Sequence, residues 1–176
     1  MSAESSSSPS SLRVGQGFDV HRFSEDPDRP LVLGGVPVPE ARGLEGHSDA
    51  DVVCHALADA LLGACGLGDL GRHFPDTDPQ FEGIGSVELL RRVVSMVQAE
   101  GGRPVNGDCT VVCERPALAP HLGEMERRMA QVIGAPVSVK ATRAEGLGAL
   151  GRVEGIACLA VVLVAGPSAT PVPSQT

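Results

Sequence analysis

The sequence predicts an α+β fold: a two-layer sandwich in which helices pack on one face of a mixed four-stranded sheet, with a small hairpin beside it. The first observation is the order of the apolar segments, which reads strands, helix, helix, strand, helix, strand, strand. The second is composition, since 42% of the 176 residues are hydrophobic but only 2% are aromatic, so Val, Leu, Ala and Ile must fill the core. A chain of this length forms one domain and folds without disulfides.

The period of the apolar residues predicts where each element lies. We predict four sheet strands, at residues 13–22, 105–114, 137–141 and 156–165, of which the last is fully buried. We predict three helices, at residues 47–66, 86–99 and 119–133. The segment LVLGGVPV, residues 31–38, predicts a short hairpin that turns at its two glycines.

The folded domain is predicted to span residues 13–165. Residues 1–12 and 166–176 are rich in Ser, Pro and Thr and are predicted to be disordered tails. Within the domain, residues 69–83 and 142–155 are rich in Gly and charged residues and are predicted to be loops.

Charge and composition exclude several classes of function. A net charge of −8 without a basic stripe argues against nucleic acid and anionic membranes as partners, and few aromatic rings are available for stacking on bases. No apolar run reaches membrane-spanning length, and the N-terminus lacks the regions of a signal peptide. Five cysteines without a CxxC pair predict reduced, buried thiols. We therefore expect a cytoplasmic protein.

A candidate metal site combines the first strand and the first helix. Asp19 and His21 lie two residues apart in the strand, so both side chains point to the same face. His55 lies in the helix with Asp51 and Asp59 one turn to either side, where one carboxylate would fix its tautomer. Zinc favours one carboxylate with two imidazoles and an open fourth position, and Mn or Fe accept the same ligands. The alternative is a turn-capping Asp19 with two ordinary polar histidines.

His47 and Ser48 lie at the start of the first predicted helix. Ser48 and Asp49 are the predicted N-cap pair, with Asp51 in the third position of a capping box. A helix N-terminus favours anions, so His47 and Ser48 are placed to meet a phosphate. A plain capping turn has the same pattern.

The two predicted loops hold further candidates. The first loop could orient hydroxyl groups or a second cation, or it could be a solvated acidic loop. Its candidate residues are Asp69, Gly71, Phe74, Pro75, Asp76, Thr77 and Asp78. The second loop has four glycines around Arg152, and such loops let backbone N–H groups close on phosphate. A flexible turn before the last strand is the alternative there.

Four motifs in order along the chain resemble one family. They are RVGQGFDVHRF, LGG, GHSDADVVCHALADALLGACGLGDLGRHFPDTD and GRVEGIAC. Together they resemble the 2-C-methyl-D-erythritol 2,4-cyclodiphosphate synthase family of the non-mevalonate isoprenoid pathway. The resemblance runs from Arg13 to about Val164, and its third motif is long and specific. It favours the metal and phosphate interpretations of the DVH triplet and of His47 over the alternatives.

The resemblance implies a lyase that converts 4-diphosphocytidyl-2-C-methyl-D-erythritol 2-phosphate to the 2,4-cyclodiphosphate and releases CMP. It implies one Zn²⁺ per subunit at Asp19, His21 and His55, and a Mg²⁺ or Mn²⁺ that binds with the substrate near Glu145. His47 matches the residue that assists the transition state. Family members are homotrimers with active sites between neighbouring subunits.

The resemblance also implies which residues contact the phosphorylated cytidine substrate. Those around the zinc position are Asp19, Val20, His21, His47 and Ser48. Those of the first loop are Asp69, Leu70, Gly71, Phe74, Pro75, Asp76, Thr77 and Asp78. Those that match the cytidine-binding segment are Cys113, Glu114, Arg115, Pro116, Ala117, Leu118 and Ala119. The remaining ones are Thr142, Arg143, Ala144, Glu145, Ala149 and Arg152.

The chain departs from the family pattern beside the second loop. The family reads Thr-Thr-Thr-Glu or Thr-Thr-Thr-Asp where this chain has Thr-Arg-Ala-Glu, so Arg143 replaces the Thr with a transition-state role. A guanidinium there would donate charged hydrogen bonds to a phosphate, or it would point away. Ala149 replaces a larger apolar residue, and Ala117 stands where a basic residue is common.

Two further interpretations remain open. Residues 15–18, Arg152 and Glu154 match the lining of the family's central trimer cavity, where isoprenoid diphosphates bind, and the alternative is an Arg–Glu pair that stabilises the subunit interface. For the whole chain, the rival functions are a zinc phosphohydrolase that activates water and a metal-stapled isoprenoid-diphosphate sensor whose active site has decayed at Arg143.

Overall fold

The computed structural model describes residues 11–75, 77–81 and 83–166. Its main sheet contains four strands: β1 (Ser11–Arg22), β4 (Arg103–Val112), β5 (Val137–Thr142) and β6 (Gly155–Gly166). Their spatial order is β1–β6–β4–β5, in which β6 is antiparallel to β1 and β4 while β5 is parallel to β4. The predicted mixed sheet is confirmed, and β1 and β5 are its two edges.

Helices cover one face of this sheet. In chain order they are α1 (Val52–Cys65), α2 (Leu70–His73), α3 (Ser86–Ala99), α4 (Leu122–Ile133) and α5 (Gly148–Gly151). Helix α1 packs directly on β1, β6 and β4, α3 packs on α1, and α4 packs on β5 and α3. The buried side chains lie between the helices and the sheet. The predicted two-layer α+β sandwich is therefore confirmed.

Helix α1 begins at Val52, five residues later than predicted. Its N-cap is Asp51, whose carboxylate accepts hydrogen bonds from two N–H groups of the first turn, so the predicted cap pair of Ser48 and Asp49 was wrong. The reason is Ala50, whose φ of 54° lies in the left-handed region that an α-helix of L-residues does not enter. The C-terminus is as predicted, because a glycine in the left-handed conformation ends the helix.

Both predicted loops contain short elements. Helix α2 and a 3₁₀ turn at Pro79–Phe81 lie in the first loop, and α5 lies in the second. Segments of three or four residues are too short for a period to appear in the sequence. Strand β6 was predicted to be fully buried, but Leu159 and Val161 are 42% and 45% exposed on the sheet face that lies opposite the helices.

The outer face of the sheet is apolar along one half. Strands β1 and β6 expose six large apolar residues there: Leu12, Val14, Phe18, Val20, Leu159 and Val161. On β4 and β5 the same face is polar, with an ion pair between Lys140 and Asp108. A sheet face that meets water normally carries polar residues throughout, so this half has the composition of an interface.

The predicted hairpin joins β2 (Pro30–Leu33) to β3 (Val36–Arg42) and turns at Gly34 and Gly35. Both glycines have positive φ, as a tight hairpin turn requires. The buried carboxylate of Asp51 accepts hydrogen bonds from the N–H groups of Gly34 at 2.8 Å and Gly35 at 2.6 Å. Burial raises the pKa of Asp51, and the backbone donors oppose this shift. One side chain thus fastens the hairpin to the start of α1.

Two glycines let α1 lie directly on the backbone of β1. A Cβ atom at Gly15 would lie 1.8 Å from the carbonyl oxygen of Ala60, and one at Gly17 would lie 2.0 Å from that of Ala56. Glycine on the strand and alanine on the helix are what this separation allows. The close approach brings His55, which precedes Ala56, against the C-terminal end of β1.

The predicted tails fall almost entirely outside the described residues. Ser11 and Leu12 belong to β1 and Gly166 belongs to β6, so the strands extend slightly beyond the predicted domain of 13–165. Across the three described ranges, no helix has both the length and the hydrophobicity that crossing a bilayer requires.

Candidate metal centre

Three side chains converge where the end of β1 meets α1. The Oδ2 atom of Asp19 lies 3.2 Å from Nε2 of His21 and 3.0 Å from Nδ1 of His55. One potential ligand atom from each residue lies within 4.8 Å of the other two, and no second cluster of this kind exists among the residues that the structure describes. Asp19 and His21 share the sheet face that packs on α1, as alternation predicts. The predicted convergence is therefore found.

The electrostatics of this cluster favour cation binding. Burial raises the pKa of Asp19, but hydrogen bonds from His21 and His55 outweigh it and hold the pKa well below its usual range. The hydrogen bond to Asp19 raises the pKa of His21, against a smaller effect of burial. Asp19 is thus a carboxylate, the form that a metal ion requires. A bound cation would take the place of the hydrogens through which the two imidazoles contact Asp19.

The ring nitrogen of His21 that points away from Asp19 has a separate partner. Nδ1 of His21 lies 2.6 Å from the carbonyl oxygen of Glu45 and donates to it, so Nε2, which faces Asp19, is the nitrogen that a cation would bind. The predicted partners of His55 were wrong, because Asp51 caps α1 and Asp59 accepts the N–H of Leu70 at 2.8 Å. Each of these carboxylates instead accepts hydrogen bonds from backbone N–H groups. The positions of Asp51 and Asp59 in the sequence do not reveal these contacts.

A cavity of about 570 Å³ opens beside the three ligands. It is large enough for a small phosphorylated molecule. Ten of its lining residues were predicted to contact substrate or metal: Asp19, His21, His47, Ser48, His55, Leu70, Gly71, Phe74, Thr77 and Asp78. Five further lining residues were not among the predicted contacts: Gly46, Asp59, Phe81, Ile84 and Leu89. Phe81 packs edge-on against Phe74, a contact between rings that sequence alone does not show.

His47 lies in the loop before α1, not at the helix N-terminus as predicted. It is exposed and lines the cavity, and every backbone carbonyl from Gly46 to Ser48 has a donor. The guanidinium of Arg29 donates to the carbonyl of Gly46 at 2.8 Å and to that of Ser48, while the N–H of Gly83 donates to that of His47 at 3.2 Å. A phosphate near His47 would therefore meet a side chain on a braced loop rather than a helix dipole.

The other predicted residues of the first loop have mixed positions. Asp69 caps α2 through the N–H of Arg72 at 3.0 Å and does not line the cavity. Pro75 also lies outside the lining, and Val20 points to the opposite, outer face of the sheet. Asp76 is outside the described residues.

Two further predicted segments, 113–119 and 142–145, lie across the sheet from Asp19. Val20, Ala157, Val112 and Thr142 stand opposite one another in a row over the four strands. The segments 113–119 and 142–145 thus leave the same end of the sheet as Asp19, but two and three strands away, about 10 Å and about 14 Å at strand spacings of about 4.8 Å. None of their residues lines the cavity. The structure therefore separates these residues from the cavity beside the proposed metal ligands, and residues 142–145 lie at the opposite edge of the sheet.

The second part has its own contacts. Arg115 and Pro116 line a separate cavity of about 300 Å³. Glu114 accepts the N–H of Gly146 at 3.2 Å, which joins the cytidine-like segment to the Gly-rich loop. Arg152 pairs with Glu154 at 2.7 Å on the surface of the chain, and the proposed role of this pair at a subunit interface stays a prediction. Arg143 is exposed, at the end of β5.

Comparison with known proteins shows which family this chain resembles. The model of the YgbB family matches residues 12–165. The 2-C-methyl-D-erythritol 2,4-cyclodiphosphate synthase of Symbiobacterium thermophilum is 58% identical over 158 residues, which cover 88% of this chain and 99% of that protein. The synthase of Geobacillus kaustophilus is 55% identical over 156 residues, which cover 87% of this chain and 98% of that protein.

Solved structures share the fold. The bifunctional IspDF of Campylobacter jejuni is 41% identical with a TM-score of 0.84, and the match covers 89% of this chain and 43% of that one. A CDP-bound 2C-methyl-D-erythritol-2,4-cyclodiphosphate synthase is 37% identical with a TM-score of 0.78, over 86% of this chain and 99% of that one. The resemblance of the motifs is thereby confirmed, and this chain belongs to the YgbB family of 2-C-methyl-D-erythritol 2,4-cyclodiphosphate synthases.

Proposed function

We propose that this protein converts 4-diphosphocytidyl-2-C-methyl-D-erythritol 2-phosphate to 2-C-methyl-D-erythritol 2,4-cyclodiphosphate and CMP. The observation that carries the proposal is the convergence of Asp19, His21 and His55 at a cavity of substrate size. Relatives that match almost end to end at more than half identity bear the same activity in their names. The protein is thus a lyase of the non-mevalonate isoprenoid pathway.

The reaction closes a ring within one molecule. An oxygen of the 2-phosphate attacks the β-phosphorus of the diphosphate, the bond from that phosphorus to the bridging oxygen breaks, and CMP leaves with the electron pair. Phosphoryl transfer of this kind asks mainly for positioning and charge neutralisation. Holding both reacting groups of one substrate in place provides roughly 7–11 kcal/mol of the barrier reduction in well-oriented systems.

The donor set fits a zinc ion. Asp19 offers a carboxylate oxygen, His21 its Nε2 and His55 its Nδ1, a combination that suits zinc and leaves a position open for a phosphate oxygen. When bound, the zinc and a substrate-borne Mg²⁺ or Mn²⁺ would supply Lewis-acid charge stabilisation to the diphosphate. Glu145 is the residue that we assign to the second ion.

His47 and Ser48 form the near wall of the reaction site. Both line the cavity, and the bracing of their loop by Arg29 limits their movement. We assign His47 the role of stabilising charge on the transferring phosphoryl group. Replacement of His47 would then slow the chemical step without removing the zinc ligands.

We assign Arg143 and its neighbours to the site of an adjacent subunit. Arg143 follows β5, the sheet edge opposite β1, which suits a ring in which one edge of each subunit faces the other edge of the next. The apolar half of the outer sheet face, which includes Phe18 and Leu159, would be buried at the ring centre. We therefore propose a homotrimer with three sites between subunits, where Arg143 donates to a substrate phosphate.

Product analysis tests the proposal. The protein is incubated with the cytidine substrate, Zn²⁺ and Mg²⁺, and the products are resolved by ³¹P NMR and nucleotide chromatography. We expect CMP and a cyclic diphosphate in equal amounts. CMP with a linear bisphosphate would identify a hydrolase instead, and no CMP release from a zinc-loaded trimer would favour the sensor. Arg143→Thr, measured in parallel, tests whether the guanidinium contributes, and a fall in turnover is expected.

A further inference from the structure

The nitrogen of His55 that points away from Asp19 faces a buried hydroxyl group. Nε2 of His55 lies 2.8 Å from Oγ of Ser86, the first residue of α3, whose exposed fraction is 1%. A histidine that binds a cation through Nδ1 keeps its hydrogen on Nε2, and that N–H needs an acceptor. Ser86 lies 31 residues away in the chain and on another helix, so nothing in the sequence around His55 indicates the contact.

The direction of this hydrogen bond is set by Asp49. The hydroxyl of Ser86 donates to Oδ1 of Asp49, and the same carboxylate accepts the backbone N–H of Ser86 at 3.1 Å and 3.2 Å. An ionised carboxylate only accepts, so the hydroxyl hydrogen of Ser86 points to Asp49. The lone pairs of the hydroxyl oxygen remain for the N–H of His55. A chain of donors therefore runs from His55 through Ser86 to Asp49.

A second hydroxyl is a poorer acceptor for the same nitrogen. Oγ of Ser48 lies 3.3 Å from Nε2 of His55, which is long for a hydrogen bond, and it already accepts the N–H of Ala50 at 3.0 Å. Ser48 also lines the cavity, whereas Ser86 does not. A change at Ser86 thus acts on the imidazole without altering the surface that meets substrate.

We propose that Ser86 is a positioning residue of the metal centre. Its hydroxyl, held by Asp49, fixes His55 in the tautomer and orientation that present Nδ1 to the cation. Partners of this kind raise metal affinity, and their loss typically weakens binding 10- to 100-fold. The inference rests on the proposed zinc-dependent function and adds a residue from α3 to a site otherwise built by β1, α1 and the loop before α1.

The experiment compares three serine variants as whole proteins. Ser86→Ala removes the acceptor, Ser86→Thr keeps a hydroxyl, and Ser95→Ala removes an exposed hydroxyl of the same helix that bonds only to the carbonyl of Arg91. Zinc affinity is measured by competition with a chromophoric chelator. We expect Ser86→Ala to bind zinc 10- to 100-fold more weakly, Ser86→Thr to remain within about threefold of the wild type, and Ser95→Ala to be unchanged.

An NMR measurement separates this role from a loss of folding. In ¹⁵N–¹H spectra of the zinc-loaded protein, the wild type should show an Nε2–H of His55 that exchanges slowly with solvent, and Ser86→Ala should show faster exchange of this hydrogen in a folded protein. Asp49→Asn should give an intermediate result, because it leaves the direction of the Ser86 hydroxyl unfixed.

The outcomes distinguish this inference from the proposed function. Wild-type zinc affinity and an equally slow exchange of the His55 Nε2–H in Ser86→Ala would overturn the role of Ser86 while leaving the enzyme intact. A wild-type protein that binds no zinc would overturn the metal centre itself, and the inference with it. Zinc binding that weakens only in Ser86→Ala, with CMP release slowed and KM for the substrate unchanged at saturating zinc, supports both.

Discussion

Nδ1 of His55 lies 3.0 Å from Oδ2 of Asp19, although 36 residues separate them in the chain. The contact depends on the close packing of α1 on β1, and it places a third ligand beside the strand pair. A strand alone offers Asp19 and His21 on one face, which is too few ligands to hold zinc. Helix α1 therefore completes the centre through His55, and replacing His55 is the most direct test.

The first prediction concerns His55→Ala. With two ligands left, we expect zinc bound at less than a tenth of the wild-type stoichiometry and CMP release below about one hundredth of the wild-type rate. Circular dichroism and the oligomeric state should be preserved, because α1 is held by its apolar face. His121→Ala, at the start of α4 and without a side-chain cap bond, serves as the control. Stoichiometric zinc in the His55 variant would refute the ligand assignment.

The second prediction concerns His47→Ala. This residue lines the cavity but lies outside the ligand cluster, so the zinc content should equal that of the wild type. We expect kcat to fall about 10²-fold or more, in the range of other lost transition-state donors. Metal analysis and steady-state kinetics on the same preparation check both parts. An unchanged kcat contradicts the assigned role.

The third prediction concerns Arg29→Met. Arg29 donates to the carbonyls on either side of His47, so its loss frees the loop without touching the cavity wall. We expect normal zinc content and a kcat about tenfold lower, because misplacement of a catalytic group is costly. Arg29→Lys should recover part of the loss. Arg127→Met, an exposed cation on α4 that pairs with Glu124, is the matched control. Equal kcat in all three variants would show that catalysis does not depend on the hydrogen bonds from Arg29 to this loop.

The fourth prediction concerns Asp51→Ala. The change leaves the N–H groups of Gly34 and Gly35 and the first turn of α1 without their acceptor in a buried place. We expect the free energy of unfolding to fall by about 2–4 kcal/mol, measured by urea titration. Asp28→Ala, an exposed carboxylate on the preceding loop, should change it by less than about 0.5 kcal/mol. A loss of similar size in both variants would argue against the role of Asp51 in joining the hairpin to α1.

The fifth prediction concerns the thiols. Burial raises the pKa of Cys113 from 9.0 to about 11, so its thiol is protonated and unreactive at neutral pH. We expect iodoacetamide to label Cys113 of the native protein slowly at pH 7.5 and faster as the pH rises towards 11, with peptide mass spectrometry as the measurement. The stability that this thiol contributes is present below pH 9 and lost as the pH approaches about 11. Labelling as fast as in urea would contradict this burial.

Features that depend on local sequence patterns were predicted better than features that depend on long-range contacts. The bounds of α3 were predicted correctly, because a strong helical period begins directly after Gly85. The start of α1 was missed, because the left-handed Ala50 leaves no sign in the sequence. The ligand triplet was predicted from alternation and family motifs, while the contact of Ser86 with His55 was not, since it depends on how α3 packs against α1.

The two-part arrangement of the predicted site has a similar origin. No pattern in the chain gives the spatial order of the strands, and it is this order that puts β5 three strands away from β1. Residues 142–145 could therefore be assigned to substrate by resemblance, but their distance from Asp19 within one chain could not be foreseen.

The contact between Gly15 and Gly17 on β1 and Ala56 and Ala60 on α1 also limits how this protein can diverge. Any side chain larger than hydrogen at either strand position pushes the helix outwards, and the helix carries His55, a proposed metal ligand, with it. Because the clash is with the backbone of the helix, no substitution at Ala56 or Ala60 could relieve it, and both strand positions are expected to stay glycine as long as the helix holds His55 at the cavity.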